Sequence, residues 1–343
     1  MTKDEHPSPA QAPSPVFGGH EVARAPRPPK VVFIGGTGRS GTHILSYLLD
    51  RHSRFHGVPI ECRFHCNPKG LADLVRGETD PADFLRKLRG YWWHRVRIGD
   101  RAYVKAKWRA LGRGGVRGLH TIVGEAEFAA AADRFESEHA DDLLAASRNL
   151  FYDLLQPLAS TAGKPSLVEM SCFTIAAADG LARIFPEARF VHSVRDGRDS
   201  GSSKVALRQK AHHPTDVISG IDFWADRLRQ AERGVRGLAD ADRSRLHVVS
   251  LDELVWGDRE AAYAGLTEFL GVDDEPAMRE FFDSEMNSGS AHRERWRKGL
   301  SESEQAGVVA HYEATLERFE ADGYRCASVI RRSYERELAA QGS

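Results

Sequence analysis

VVFIGGTGRSGTHILSYLL, residues 31–49, decides how this chain is read. It opens on four apolar residues, Val31 to Ile34, three of them β-branched, as in a buried strand. Gly35-Gly36-Thr37-Gly38-Arg39-Ser40-Gly41-Thr42 follows, where glycines let the backbone turn sharply and come close to a ligand. Beyond it, Ile44, Leu45, Leu48 and Leu49 share one helical face. Strand, glycine-rich loop and helix make a cradle for an anion. The free N–H groups of the helix start face it, and the helix dipole favours negative charge there.

The loop departs from a Walker A motif, which needs Gly, four residues, then Gly-Lys-Ser/Thr. Gly36 and Gly41 keep the spacing, but Thr42 and His43 stand where the lysine and the magnesium-holding hydroxyl belong. The nearby cation is Arg39, three residues earlier.

A chain of 343 residues, 41% hydrophobic, can bury one large α/β domain or two small ones. A formal net charge of −1 gives no ground for a nucleic-acid or membrane-surface partner. The four cysteines follow no disulfide framework and read as reduced thiols in a cytoplasmic protein. Cys62 and Cys66 flank His65, but no second ligand pair follows at a zinc-like spacing, so no metal is expected. Met1 to Pro29 lacks the apolar stretch of a signal peptide and reads as a disordered tail. The rest, residues 30–343, reads as one domain carrying a helical insertion over about residues 80–162.

Further along, Val58-Pro59-Ile60 reads as a short extended segment ending in Glu61-Cys62-Arg63. In a doubly wound sheet such strand ends face the ligand crevice, which would put Glu61 beside the loop. Pro81 to Arg97 is helical, with Phe84, Leu85, Leu88, Tyr91 and Trp92 apolar. Arg95 to Arg117 is strongly basic, a solvated face or a wall for an anion. One or two helices fill His120 to Ala162. Ser166 to Glu169, Ala188 to Val194 and Leu246 to Ser250 read as further core strands, with helices between and after them. The pattern predicts an α/β fold: a mostly parallel, P-loop NTPase-like sheet with helices on both faces.

The strand at Ala188 to Val194 runs into Arg195-Asp196-Gly197-Arg198-Asp199-Ser200-Gly201-Ser202-Ser203. An arginine at a strand end can clamp a phosphate bidentately, and Ser203, two helical turns on, can add a hydroxyl. The competing reading is an internal Arg195–Asp199 pair.

In these segments the chain resembles the sulfotransferases that use 3′-phosphoadenosine 5′-phosphosulfate, over about residues 31–320. Gly38-Arg39-Ser40-Gly41-Thr42 resembles their 5′-phosphosulfate loop, and Phe190 to Ser203 their 3′-phosphate segment. Arg297-Lys298-Gly299 is similar to their C-terminal Arg-Lys-Gly signature, and Ser250 to Val255 to an element that usually carries a tyrosine where Leu251 stands. Glu61-Cys62-Arg63 matches the Glu-x-Arg of the tyrosylprotein and bacterial carbohydrate branch. That branch also has a lysine where this chain has Met170, and Lys105, Lys107 and Lys204 are candidate replacements.

The resemblance implies sulfuryl transfer from that co-substrate, without a metal, to a hydroxyl or else an amine of a small metabolite, sugar or peptide. It implies that Gly38 to His43, Arg195, Ser203, Arg297, Lys298 and Gly299 hold the nucleotide, while Glu61, Arg39 and Arg63 serve the chemistry. Sulfuryl transfer needs in-line attack and stabilisation of spread negative charge, which fixed cations and N–H groups supply. Glu61 is the expected base, ahead of Glu169, His65, His43 and His192. A divergent P-loop kinase, disfavoured by Thr42 and His43, and a non-catalytic nucleotide-binding protein are the alternatives.

Overall fold

The structure, a computed structural model, describes residues 30–94, 118–206, 214–289 and 292–341. The tail Met1 to Pro29 and the basic stretch Arg95 to Arg117, with Lys105 and Lys107, lie outside the described residues.

Five strands form one sheet: β1 (Val31–Gly36), β2 (Phe55–Gly57), β3 (Ser166–Glu169), β4 (Arg189–Val194) and β5 (Leu246–Ser250). Their order is β2-β3-β1-β4-β5, and every pairing is parallel. Val32 stands opposite Val168 on one side, and Ile34 opposite Val191 on the other. Parallel strands joined by crossovers need both sheet faces covered, so the central strands are apolar on both sides. Val31 and Phe33 of β1 join one buried cluster, while Val32 and Ile34 join another.

Helices cover the two faces. In chain order they are α1 (Thr42–Asp50), α2 (Leu71–Arg76), α3 (Pro81–Lys87), α4 (Glu125–Glu138), α5 (Leu143–Thr161), α6 (Ala178–Ile184), α7 (Gly197–Val205) and α8 (Val217–Arg236). Then come α9 (Leu251–Val255), α10 (Arg259–Leu270), α11 (Pro276–Glu285), α12 (Glu302–Ala321) and α13 (Ala327–Gln341). Leu45, Leu48, Leu254, Leu266 and Phe282 bring α1 and α9 to α11 onto one face. Leu74, Phe135, Phe151, Leu181 and Val235 bring α2, α4 to α6 and α8 onto the other.

Two expectations shift. The second strand to be met along the chain is Phe55–Gly57, three residues before the expected Val58–Ile60. Val58 still donates its N–H to Val168 O at 2.9 Å, but Pro59 has no N–H to carry the ladder on. After α3 the chain passes into a turn of π-helix, Leu88–Trp92, which buries Leu88 and Trp92.

α7 and α8 approach unusually closely. A Cβ on Gly201 would sit 2.6 Å from the backbone carbon of Gly220, so only glycine allows this contact. The crossing sets the middle of α7 against the first turn of α8. The C-terminal ends of β1, β3, β4 and β5 all open on one side of the sheet, where the loop residues gather.

Candidate active site

β1 ends at Gly36, where a Cβ would run into Ser40 Oγ and Ser193 O. The loop then turns left-handed three times, with φ of 76° at Gly38, 67° at Arg39 and 92° at Gly41. Successive turns of this kind make a concavity lined by N–H groups. A non-glycine residue such as Arg39 stores strain in that region, and the surrounding bonds hold it there. Ser193 Oγ donates to Ser40 O at 2.5 Å, and Gly36 N donates to Cys172 O at 3.1 Å. Ser40 is fully buried, and its hydroxyl has no partner among the described residues. Gly41 caps α1 without a side-chain acceptor. Thr42 is buried and His43 exposed in the first helical turn. The loop offers what an anion needs: an orphaned buried hydroxyl and an uncapped helix start.

The segment expected to form a second anion site adjoins it. Arg39 Nε donates to Ser203 Oγ at 2.9 Å across 164 residues of sequence. Arg195 Nη1 donates to Arg39 O at 3.4 Å, and its Nη2 to His292 O, while its buried Nε has no partner among the described residues. The Arg195–Asp199 pair exists, at 3.9 Å. Burial and the neighbouring Asp196 raise the Asp199 carboxyl to about 6 and that of Asp252 to about 7. Asp252 Oδ2 accepts the Asp196 N–H at 2.7 Å, and Glu294 N donates to Asp199 Oδ2 at 3.0 Å. The latter bond draws the segment around Arg295–Arg297 against α7. Arg297 itself reaches Gln305 at 3.0 Å and Glu294 at 3.4 Å, and Lys298 and Gly299 are exposed.

Arg198, in the same turn, points the other way. It is 1% exposed, bonded to Asp196 and to Glu337 at 3.0 Å, with its guanidinium near 5 Å from the rings of Trp296, Tyr312 and Tyr334.

Glu61 and Arg63 flank the loop from the far side. Arg63 Nε donates to Glu61 Oε2 at 2.7 Å, and Nη2 reaches the same oxygen. Cys172 Sγ donates to Glu61 Oε1 at 3.3 Å and lies 3.8 Å from where a Cβ on Gly38 would be. Cys172 thus joins the carboxylate to the glycine-rich loop. Its thiol is pushed up to about 12, first by burial and then by Glu61, so it stays a donor.

Glu169 does not face the crevice. It is fully buried and accepts from Cys62 N at 3.1 Å, Ser171 N at 2.9 Å and Ser171 Oγ at 2.6 Å, while His65 Nε2 lies 2.9 Å away. Burial alone would lower the His65 pKa, but Cys66 and Glu169 raise it to about 10. His65, the other side of that pair, is fully buried as well. His192 sits in β4, buried and lowered to about 4 by desolvation. Met170 packs into the apolar core rather than toward the loop.

The structure therefore brings Arg39, Ser40, Arg195, Ser203, Glu61 and Arg63 to one end of the sheet. Cys172 and the His65–Glu169 pair carried no motif, and only the tertiary contact reveals them. Among the described residues no cluster of His, Cys, Asp and Glu could hold a metal ion, and no helix is long and apolar enough to cross a membrane.

No curated protein matches the chain. Among solved structures it is similar to a sulfotransferase of Mycobacterium tuberculosis H37Rv, at 16% identity over 84% of this chain and 77% of that one, TM-score 0.44. A sulfotransferase of Mycobacterium avium matches at 17% identity over 84% and 76%, TM-score 0.41. The sulfotransferase domain of the Synechococcus PCC 7002 olefin synthase matches at 16% over 84% and 94%, also with TM-score 0.41. The profile of the sulfotransferase family matches residues 29–276, well over half the chain, and the protein belongs to that family.

Proposed function

We propose that the protein moves the sulfuryl group of 3′-phosphoadenosine 5′-phosphosulfate to a hydroxyl, or else an amine, of a small metabolite, carbohydrate or peptide. The observation that carries the donor is the meeting of two anion sites. Arg39 Nε and Ser203 Oγ join them at 2.9 Å, and each site holds an orphaned buried donor, Ser40 Oγ in one and Arg195 Nε in the other. A nucleotide with anionic groups at both its 5′ and 3′ positions fits that pair. An ATP phosphotransferase has no use for the second site.

In this reading Gly38 to His43 hold the phosphosulfate end, Arg195 and Ser203 the 3′-phosphate, and Arg297 to Gly299 close over it. The acceptor oxygen bonds to sulfur while the bond from sulfur to the bridging oxygen breaks, leaving its electron pair on the 5′-phosphate. The acceptor proton passes to Glu61. The products are the sulfated acceptor and adenosine 3′,5′-bisphosphate. Arg63 orients Glu61, and the Cys172 thiol fixes the other carboxylate oxygen. Four free thiols accord with a reducing compartment such as the cytoplasm.

The test is calorimetric binding of adenosine 3′,5′-bisphosphate against ADP with magnesium, followed by transfer of labelled sulfate to a panel of hydroxylated acceptors read by mass. Tighter binding of ADP would overturn the donor assignment in favour of a phosphotransferase. Labelled product establishes catalysis.

A further inference from the structure

Spread negative charge on a transferring sulfuryl group calls for a cation on its open side. Met170 supplies none, since it lies in the core at 1% exposure. We infer that Lys204, resting on Phe223, is the cation that meets the sulfuryl end of the donor. This rests on the donor reading above.

The argument is one of placement. Lys204 follows Ser203, whose hydroxyl accepts the Arg39 Nε–H at 2.9 Å. Its ammonium lies 4.9 Å from the ring centre of Phe223 on α8. The guanidinium of Arg227, one turn further along α8, lies 4.8 Å from the same ring and 4.5 Å from that of Phe173. Phe173 is the neighbour of Cys172, which bonds Glu61 at 3.3 Å and abuts Gly38. Side-chain contacts and neighbours along the chain thus link the loop arginine, by way of Lys204 and Arg227, to the carboxylate. The close crossing of α7 and α8 at Gly201 and Gly220 is what sets these groups in place.

The charge balance of this group is unusual. Arg39, Arg63, Lys204 and Arg227 converge here, and Glu61, the carboxylate among them, is already held by Arg63. Among the described residues Lys204 Nζ has no carboxylate partner and no hydrogen-bond acceptor. Partial burial holds its pKa below the usual lysine value; Cys172 opposes this, and Arg227, Arg39 and Arg63 each add a lesser lowering. Like charges gathered in this way repel one another, and an anion that joins them relieves the repulsion. An ammonium on a flexible stem, resting on an aromatic ring, can swing to such an anion without rearranging the backbone.

The experiment compares the full donor with its desulfated product, so it needs no acceptor. Affinities for 3′-phosphoadenosine 5′-phosphosulfate and for adenosine 3′,5′-bisphosphate are measured calorimetrically on the wild type, Lys204→Ala and Lys204→Arg. Loss of one charge-assisted contact weakens binding about tenfold. Lys204→Ala is expected to weaken the sulfated donor by about that factor and leave the bisphosphate within about threefold, while Lys204→Arg keeps most of the donor affinity. An unchanged donor affinity in Lys204→Ala, or an equal loss for both nucleotides, overturns the assignment. If the wild type binds neither nucleotide, the donor reading falls instead.

Discussion

Replacing Glu169 with glutamine tests the claim that this residue is a buried counterion and not the base. Both Glu169 and His65 are fully buried, 2.9 Å apart. In Glu169→Gln one side-chain oxygen can still take Cys62 N–H and Ser171 Oγ–H. The amide nitrogen then faces two donors, Ser171 N–H and protonated His65. His65 must lose its proton in an apolar site, and one backbone donor is left unpaired. Breaking a buried pair by removing one partner costs about 3–5 kcal/mol. Urea unfolding followed by tryptophan emission measures it, because Trp92, Trp224 and Trp296 are buried.

The pH dependence of the loss has a definite sign. The folded His65 pKa is raised from 6.5 to about 10, so its contribution is full below about pH 6.5 and fades as pH rises through 10. The Glu169 pKa is lowered, chiefly by His65 against the opposing effect of burial, so its contribution is present above about 4.5 and fades on acidification. The difference between wild type and Glu169→Gln is therefore widest between about pH 4.5 and pH 6.5 and narrows toward pH 9. A loss below about 1 kcal/mol, or a loss that does not vary with pH, refutes the buried ion pair.

Arg195→Ala is expected to weaken adenosine 3′,5′-bisphosphate about tenfold or more in calorimetry, while hardly touching the analogue without the 3′-phosphate. Because Arg195 also holds Arg39 O and His292 O, an equal loss for both nucleotides would show that it serves the fold. Glu61→Gln should lower kcat by roughly 10²–10⁴-fold with nucleotide affinity within about threefold. Retained turnover would remove Glu61 from the chemistry.

Much of the fold is legible because a central parallel strand is apolar on both faces. Val31 to Ile34 stands out as a continuous apolar run between turn signals, and Phe190 to Val194 as a buried strand broken only by His192 and Ser193. β2 does not, since it is three residues long at the sheet edge and carries His56 in its middle. The π-turn at Leu88–Trp92 is equally hidden, because its apolar residues fit a regular helix too. In the site, Arg39, Arg195 and Ser203 announce themselves through glycine turns at strand ends. Glu169 reads as a crevice residue for the same reason, as it also ends a core strand. What withdraws it is His65, 104 positions away, whose role depends on how the Cys62 to Cys66 turn folds back. Cys172 and Arg227 are silent in the sequence because their meaning lies wholly in their neighbours.

The enclosure of Arg198 bears on where the chain can be cut. The family match stops at residue 276, yet Trp296, Tyr312, Tyr334 and Glu337, which surround that guanidinium, all come later. A shortened version designed on the match alone would keep the arginine and discard most of its housing. The bared cation would sit beneath Gly197, whose N–H is also bonded by the Tyr312 hydroxyl at 3.3 Å. The last two helices thus brace the turn that presents Arg195, and a fragment that keeps this housing extends at least through Glu337.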